Sequence, residues 1–231
     1  MTAPDASTFA IAVSGHRALD ADDCVRARAQ LSALLAALVA GTAQAAPRTR
    51  LDCLSALAAG ADQLFAEQVL ALQAQCGAGR VRLLVPLPMP EADYIESQEA
   101  PGSHAFRDSY LALRARAQDV FEVPADGGPL TGSAPYERLG DYLAQKADLL
   151  VALWDGDTNA ARQPGGTFDV VMRYLATPGR AVLHLPARRA GAAAAGAHTL
   201  PAVLTMDGAG GLRRNEDPAA LASCCPARRN G

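Results

Sequence analysis

Residues 148–176, DLLVALWDGDTNAARQPGGTFDVVMRYLA, decide how the rest of the chain is read. Leu149-Leu150-Val151-Ala152-Leu153 is a short apolar run, the pattern of a strand covered on both faces. Trp154-Asp155-Gly156 leaves that strand, and Pro164-Gly165-Gly166-Thr167 turns the chain into a helix whose first amides have no internal acceptor. Two glycines let backbone come close to a ligand, and exposed amides with the helix dipole favour an anion such as phosphate. A plain helix start with Thr167 as its cap has the same sequence. What the other strands bring to the same place therefore decides between the two.

Before this unit, residues 9–13 (FAIAV) form a compact apolar run that ends in Ser14-Gly15-His16-Arg17. A helix then begins near Asp20, with Val25, Leu31, Leu34, Leu35 and Leu38 at helical spacing and Gly41 as a stop. Residues 50–54 give a second strand, and 55–62 lead into a helix carrying Leu64, Phe65, Val69, Leu70 and Leu72 that stops near Gly77. A third strand at 81–85 is expected to end at Pro86-Leu87-Pro88-Met89-Pro90, because proline cannot donate to a ladder. One short helix around Tyr94, a longer one from about His104, a weak strand at 119–123, a loop at 124–135 and a helix at 136–147 come next. After the opening unit come a strand at 180–185, an alanine and glycine loop at 190–197, and an edge strand at 200–206. This alternation predicts an α/β chain: a single Rossmann-like domain with a mainly parallel sheet, right-handed crossovers and helices on both faces. The domain spans 9–206, between an N-terminal tail at 1–8 and a flexible C-terminal tail at 207–231.

The 231 residues suffice for one sizeable core, and a formal net charge of −3 supplies no strong field for nucleic acid or an anionic membrane. Any anion site is therefore local. Cys24, Cys53, Cys76, Cys224 and Cys225 are odd in number and lack metal-type spacing, as suits free thiols in a reducing compartment. The N-terminus has no signal-peptide pattern and the apolar run 31–40 is too short for a bilayer, so a cytoplasmic protein is expected. Asp155 and Asp157 alone make a weak cation pair, and neither a metal nor a cofactor is expected.

In an open parallel sheet, ligands bind beyond the carboxyl ends of the strands where strand order reverses. The unusual residues all fall there: Ser14 to Arg17, the segment from Ser55 to Asp62, the prolines and Tyr94 after the third strand, and Trp154 to Thr167. Four loops at one edge make one pocket. In it, Arg17 offers a planar fork for phosphate, His16 a further donor, Gly60 close approach, Asp62 a ribose acceptor, and Tyr94 a cover for a base. Trp154, Asp155, Gly156, Gly165, Gly166 and Thr167 complete the candidate ligand contacts, although Trp154 fits packing better than stacking.

With these pieces in order, the chain resembles the SLOG superfamily, the Rossmann-like group that includes the Lonely Guy cytokinin-activating proteins and DNA-processing protein A. The matching segments are Ser14-Gly15-His16-Arg17, Leu57-Ala58-Ala59-Gly60-Ala61-Asp62, the proline-rich third-strand end with Tyr94, and Trp154-Asp155-Gly156 with Pro164-Gly165-Gly166-Thr167. They cover residues 9 to about 185. The resemblance implies a pocket for a nucleotide or nucleotide derivative, ADP-ribose-like or a nucleoside monophosphate, with phosphate at the glycine-rich helix start. Lonely Guy enzymes cleave the N-glycosidic bond of nucleoside monophosphates, which requires a carboxylate near the sugar and a cation for phosphate. Their motif runs from Pro-Gly-Gly through Gly-Thr to a glutamate, whereas this chain reads Thr167-Phe168-Asp169-Val170-Val171, with Asp169 one residue short of that acid. Three functions are compatible with these residues. The first is a binding module that senses such a nucleotide, alone or as a homodimer, and reports to a separate effector protein. The second is a phosphoribohydrolase with Asp169 or Asp62 as carboxylate and Arg17 or Arg173 for phosphate. Single-stranded DNA binding is the third, and it is least favoured by the net charge and the missing basic stripe.

Overall fold

The structure, a computed structural model, describes residues 8–45, 49–125, 131–158, 163–192 and 198–223. Its strands are β1 (Thr8–Gly15), β2 (Arg50–Leu54), β3 (Val81–Leu87), β4 (Asp119–Glu122), β5 (Leu149–Trp154), β6 (Val182–Pro186), β7 (Ala202–Met206) and β8 (Leu212–Asn215). Its helices are α1 (Ala21–Ala45), α2 (Ala61–Cys76), α3 (Glu91–Gln98), α4 (Ala105–Arg114), α5 (Ala134–Lys146), α6 (Thr167–Leu175) and α7 (Pro218–Ser223). All eight strands belong to one sheet, ordered β4-β3-β2-β1-β5-β6-β7-β8. The first six in that order pair in parallel, and β7 and β8 are antiparallel. This is the expected α/β, Rossmann-like architecture. Connections run away from β1 in one direction through α1 and α2 and in the other through α5 and α6, so right-handed crossovers place the two helix pairs on opposite faces.

The burial of β5 explains its composition. All six of its residues are buried, because the strand lies between β1 and β6 with helices on both faces. Its register against β1 is level: Ile11 pairs with Leu149 and Gly15 with Leu153. Asp148 fixes the lower end of that register, accepting the Ala10 amide on its carboxylate at 2.8 Å and donating its own amide to the Ala10 carbonyl at 2.8 Å. Tyr174 from α6 donates to the Asp148 carbonyl at 2.7 Å, which ties the helix to the foot of the same strand.

Four details depart from the sequence expectation. Pro86 lies inside β3 and does not end it. Leu84 turns its carbonyl to the Ser55 amide, so Pro86, two residues on, faces the same side just past the end of β2 and no ladder bond is lost. The strand β7 is not an edge, since β8 pairs with it from Asn215 to Leu212, and the sheet continues past the boundary set at residue 206. Segment 207–231 therefore contributes a strand and the short helix α7. Among the described residues α1 is long and apolar enough by length and composition to cross a membrane, contrary to the shorter run read from the sequence, yet its stripe of Ala27, Leu31, Leu35 and Leu38 belongs to the hydrophobic core. Cys224, Cys225 and parts of the two expected loops, 126–130 and 193–197, lie outside the described residues.

The loops at the carboxyl edge are locked across the sheet by one buried acid. Asp23, 1 % exposed at the start of α1, accepts the Arg188 amide at 2.7 Å and its Nε at 3.0 Å, and pairs with Arg26 at 2.7 Å. Burial alone raises the carboxyl pKa, but the Arg188 and Arg26 hydrogen bonds outweigh it and hold Asp23 down at about 2. A depressed carboxylate stabilises the fold above its ordinary value of 3.8, and that contribution disappears as pH falls through about 2. Asp23→Ala is expected to cost about 2 kcal/mol at pH 7 and to flatten the loss of stability between roughly pH 4 and 2, read by urea unfolding across that range.

Candidate functional site

Strand order reverses between β1 and β5, and a cleft of about 590 Å³ opens above their carboxyl ends. Ser14, Gly15, His16, Arg17, Asp62, Tyr94, Gly165, Gly166 and Thr167 all line it, so nine residues singled out from four separate loops share one wall-to-wall space. The level register accounts for this. The His16 amide donates to the Leu153 carbonyl at 3.0 Å, after which β1 departs toward α1 while Trp154 bonds the Ala187 amide on the β6 side. The chain ends part there and leave the crevice.

Crossing backbones then shape the cleft. Gly60, at φ 80°, was expected to approach a ligand, but it packs on the loop after β1, where a Cβ would meet the His16 carbonyl oxygen at 2.5 Å. The next residue, Ala61, donates its amide to that carbonyl at 3.0 Å. Gly165, at φ 74°, lies against the first turn of α5, where a Cβ would meet Tyr136 Cβ at 2.6 Å. The glycine turn is thus pressed onto α5 while Gly166 and Thr167 open α6 toward the cleft. The Thr167 and Phe168 amides, in the first turn of α6, have no intrahelical acceptor.

Asp169 and Arg173, read as a candidate carboxylate and phosphate cation, are turned elsewhere. Asp169 is 3 % exposed and accepts the Gly165 amide at 3.0 Å and Arg173 Nε at 2.7 Å. Arg173 also pairs with Asp141 at 2.6 Å and Glu137 at 3.1 Å. Neither residue lines the cleft: together they fasten the glycine turn to α5 and α6. Trp154 is buried, stacked on Phe168 at 5.6 Å and set against His184 at 5.3 Å, so its role is packing. Gly156 packs on His184 and His198 and also stays outside the lining. His184 donates from Nε2 to the Trp154 carbonyl at 2.8 Å, since its Nδ1 faces the guanidinium of Arg214, which can only donate. Tyr94 is part of the cleft wall, but it sits in a cluster with Phe106 and Tyr110, each ring centroid 6.2 Å away, and is buried too deeply to close over a base.

Tyr136 and Arg189 also line the cleft and were not among the sequence candidates. Tyr136 comes within reach only because α5 and α6 pack together, and Arg17 lies over its ring at 5.4 Å. Arg189 lies just after β6 at the same carboxyl edge, a position the strand rule could have picked out. Arg17 and Arg189 are both exposed, and neither makes an ion pair among the described residues. Beneath them, His16 is 4 % exposed and its Nε2 lies 3.0 Å from an Asp155 carboxylate oxygen. The same nitrogen accepts the Asp155 amide at 3.3 Å. Burial lowers the His16 pKa below its ordinary value, with Asp155 opposing and Arg189 adding to the effect.

Asp62 is a buried carboxyl group of the cleft wall. It accepts the Ala56 amide at 3.1 Å and helps hold Leu57 at φ 58°, an unusual backbone state for a leucine. Burial is the dominant influence and raises this carboxyl to about 7, against the lowering effect of the Ala56 and Ala58 amides and Arg17. With its pKa raised by folding, the group favours the fold most below its ordinary 3.8, and that support is lost as pH rises through about 7. Asp62→Asn is therefore expected to flatten the decline in stability between roughly pH 4 and 7, measured as unfolding free energy at each pH.

No protein-family model matches the chain, and no curated protein matches it in sequence. Among solved structures it is similar to DNA processing protein A from Streptococcus pneumoniae, at 14% sequence identity and a TM-score of 0.45. The match covers 80% of this chain and 52% of that one, so the chain spans about half the length of that protein. At this distance the fold assignment stands on the sheet order and crossovers themselves.

Proposed function

We propose that the cleft binds a nucleotide or nucleotide derivative through its phosphate, as a binding module. One observation carries this reading: two arginines without carboxylate partners among the described residues, Arg17 and Arg189, meet the Gly165-Gly166-Thr167 turn in a single cleft at the strand-order reversal. Most other basic side chains near the site are committed, Arg173 to three acids and Arg188 to Asp20 and Asp23. Guanidinium forks and helix-start amides are the donors that phosphate oxygens take in water-poor crevices. Asp169 would oppose an anion at the helix start, but Arg173 compensates its charge at 2.7 Å. The apolar and aromatic part of the lining, Leu139, Leu143 and Tyr136, offers surface for the uncharged part of such a ligand.

Titration calorimetry against AMP, ADP and ADP-ribose is expected to show saturable binding to at least one of them. Arg17→Ala and Arg189→Ala each weaken it about tenfold or more, the scale of one lost charge-assisted hydrogen bond. Gly166→Asp weakens it further by placing a carboxylate at the helix start. Absence of binding to every member of the panel would falsify the reading.

A further inference from the structure

We propose that Tyr136 is a positioning residue of the phosphate site: its ring holds the Arg17 guanidinium in the cleft and leaves every side-chain N–H group for the ligand. The inference rests on the phosphate-binding reading above and assigns to it a residue that meets no phosphate itself. Arg17 Cζ lies 5.4 Å from the centre of the Tyr136 ring, and both residues line the cleft. Among the described residues the guanidinium makes neither a hydrogen bond nor an ion pair. A carboxylate would hold such a group by taking two of its donors and cancelling its charge, as Asp23 does with Arg188. An aromatic face attracts the cation and takes neither.

The ring is itself fixed at both ends. Ser97, near the end of α3, spends its hydroxyl hydrogen on the Tyr94 carbonyl at 2.7 Å, so the 2.9 Å contact between Ser97 Oγ and Tyr136 Oη has the tyrosine as donor. Gln98 Nε2 donates to the same Oη at 3.2 Å. The phenol oxygen therefore has both an acceptor and a donor on α3, and the ring cannot swing without losing them. At the other end of the side chain, Gly165 packs so closely that a Cβ there would meet Tyr136 Cβ at 2.6 Å and its carbonyl carbon at 2.9 Å. The cation of the site and the glycine turn before α6 thus meet on the same residue, which sets one relative to the other. A long side chain loses rotamer freedom when it grips an anion, and one already lodged on a fixed ring has less to lose.

The test is a double-mutant cycle on binding by the full chain, read by calorimetry with AMP, ADP and ADP-ribose, with the ring contact followed by NMR in the absence of nucleotide. Tyr136→Leu, which keeps a Cβ for Gly165 to pack on, should raise Kd about three- to tenfold, the scale of one cation–π contact and one ordered side chain. Tyr136→Phe should restore most of that loss. In an Arg17→Ala background Tyr136→Leu should change Kd no further, whereas in an Arg189→Ala background it should keep its full effect; general damage to the cleft would weaken binding in both. The δ protons of Arg17 should show an upfield ring-current shift in the wild-type chain and in Tyr136→Phe. An additive loss in the Arg17→Ala background means that Tyr136 meets the ligand directly and overturns the assignment, as does a Tyr136→Leu affinity equal to wild type or a Phe variant as weak as the Leu variant. Absence of the ring-current shift from the wild-type chain overturns it even where Tyr136→Leu fails to fold. In each of these outcomes nucleotide binding by the wild-type chain leaves the phosphate reading standing; if no member of the panel binds, both fall.

Discussion

The level parallel pairing of β1 with β5 is the constraint on which the site depends. The two strands run side by side from Ile11 and Leu149 to Gly15 and Leu153, and their connections leave in opposite directions to opposite faces of the sheet. Nothing can fill the space between diverging connections except residues of the loops themselves, so a crevice is obligatory there. A shift of one residue in this register would exchange the faces of every side chain on β5, a strand buried on both sides, and would move Trp154 and Asp155 away from His16. Asp148, bonded to Ala10 on both its amide and its carboxylate, guards against that shift at the far end.

Close backbone crossings convert that crevice into a defined shape. The loop after β2 rides on the loop after β1 at Gly60, and the turn before α6 rests on α5 at Gly165. A side chain at either position would collide with main chain, which cannot move without dragging a strand or a helix with it. The glycines that read from sequence as openings for a ligand are therefore, at these two places, openings for the protein's own backbone. The cleft is lined instead by their neighbours, His16 and Arg17 in one case and Gly166 and Thr167 in the other.

Charge around the cleft is divided between pairs and a free rim. The chain as a whole is mildly acidic, but several acids around the cleft are paired: Asp23 and Asp20 with Arg188, Asp169 and Glu137 with Arg173, Asp155 with His16. Among the described residues these pairs leave Arg17 and Arg189 as positive groups without an ion pair at the rim. The lock between Asp23 and Arg188 also fixes the backbone next to Arg189 and so places that arginine over a cleft formed by other strands. Partial screening at the rim makes such arginines effective only where a desolvated anion meets them with helix-start amides.

Much of the fold was legible in residue order alone. Apolar runs of strand length alternating with helical stripes specified the parallel core, and the rule that ligands gather beyond strand ends assigned Ser14 to Arg17, Asp62, Tyr94 and Gly165 to Thr167 to one lining. Those features are local: each depends on the period of a pattern or on the residues just past a strand end. The strand β8 escaped because the arginine-rich run Leu212–Asn215 lies half exposed at an edge and carries little apolar signal. Which way a side chain turns was equally hidden. Asp169 and Asp62 both stand in the first turn of a helix, yet one is drawn into an ion pair with Arg173, itself held by acids of α5, and the other is sealed into the cleft wall. His16 finds Asp155 across 139 residues, and Tyr136 finds Arg17 through the packing of α5 on α6. The sequence by itself determined the layers and the strand edge at which the cleft opens; the tertiary structure alone decided which charges are paired and which face that cleft, because partners distant in the chain become neighbours only when the sheet closes between them.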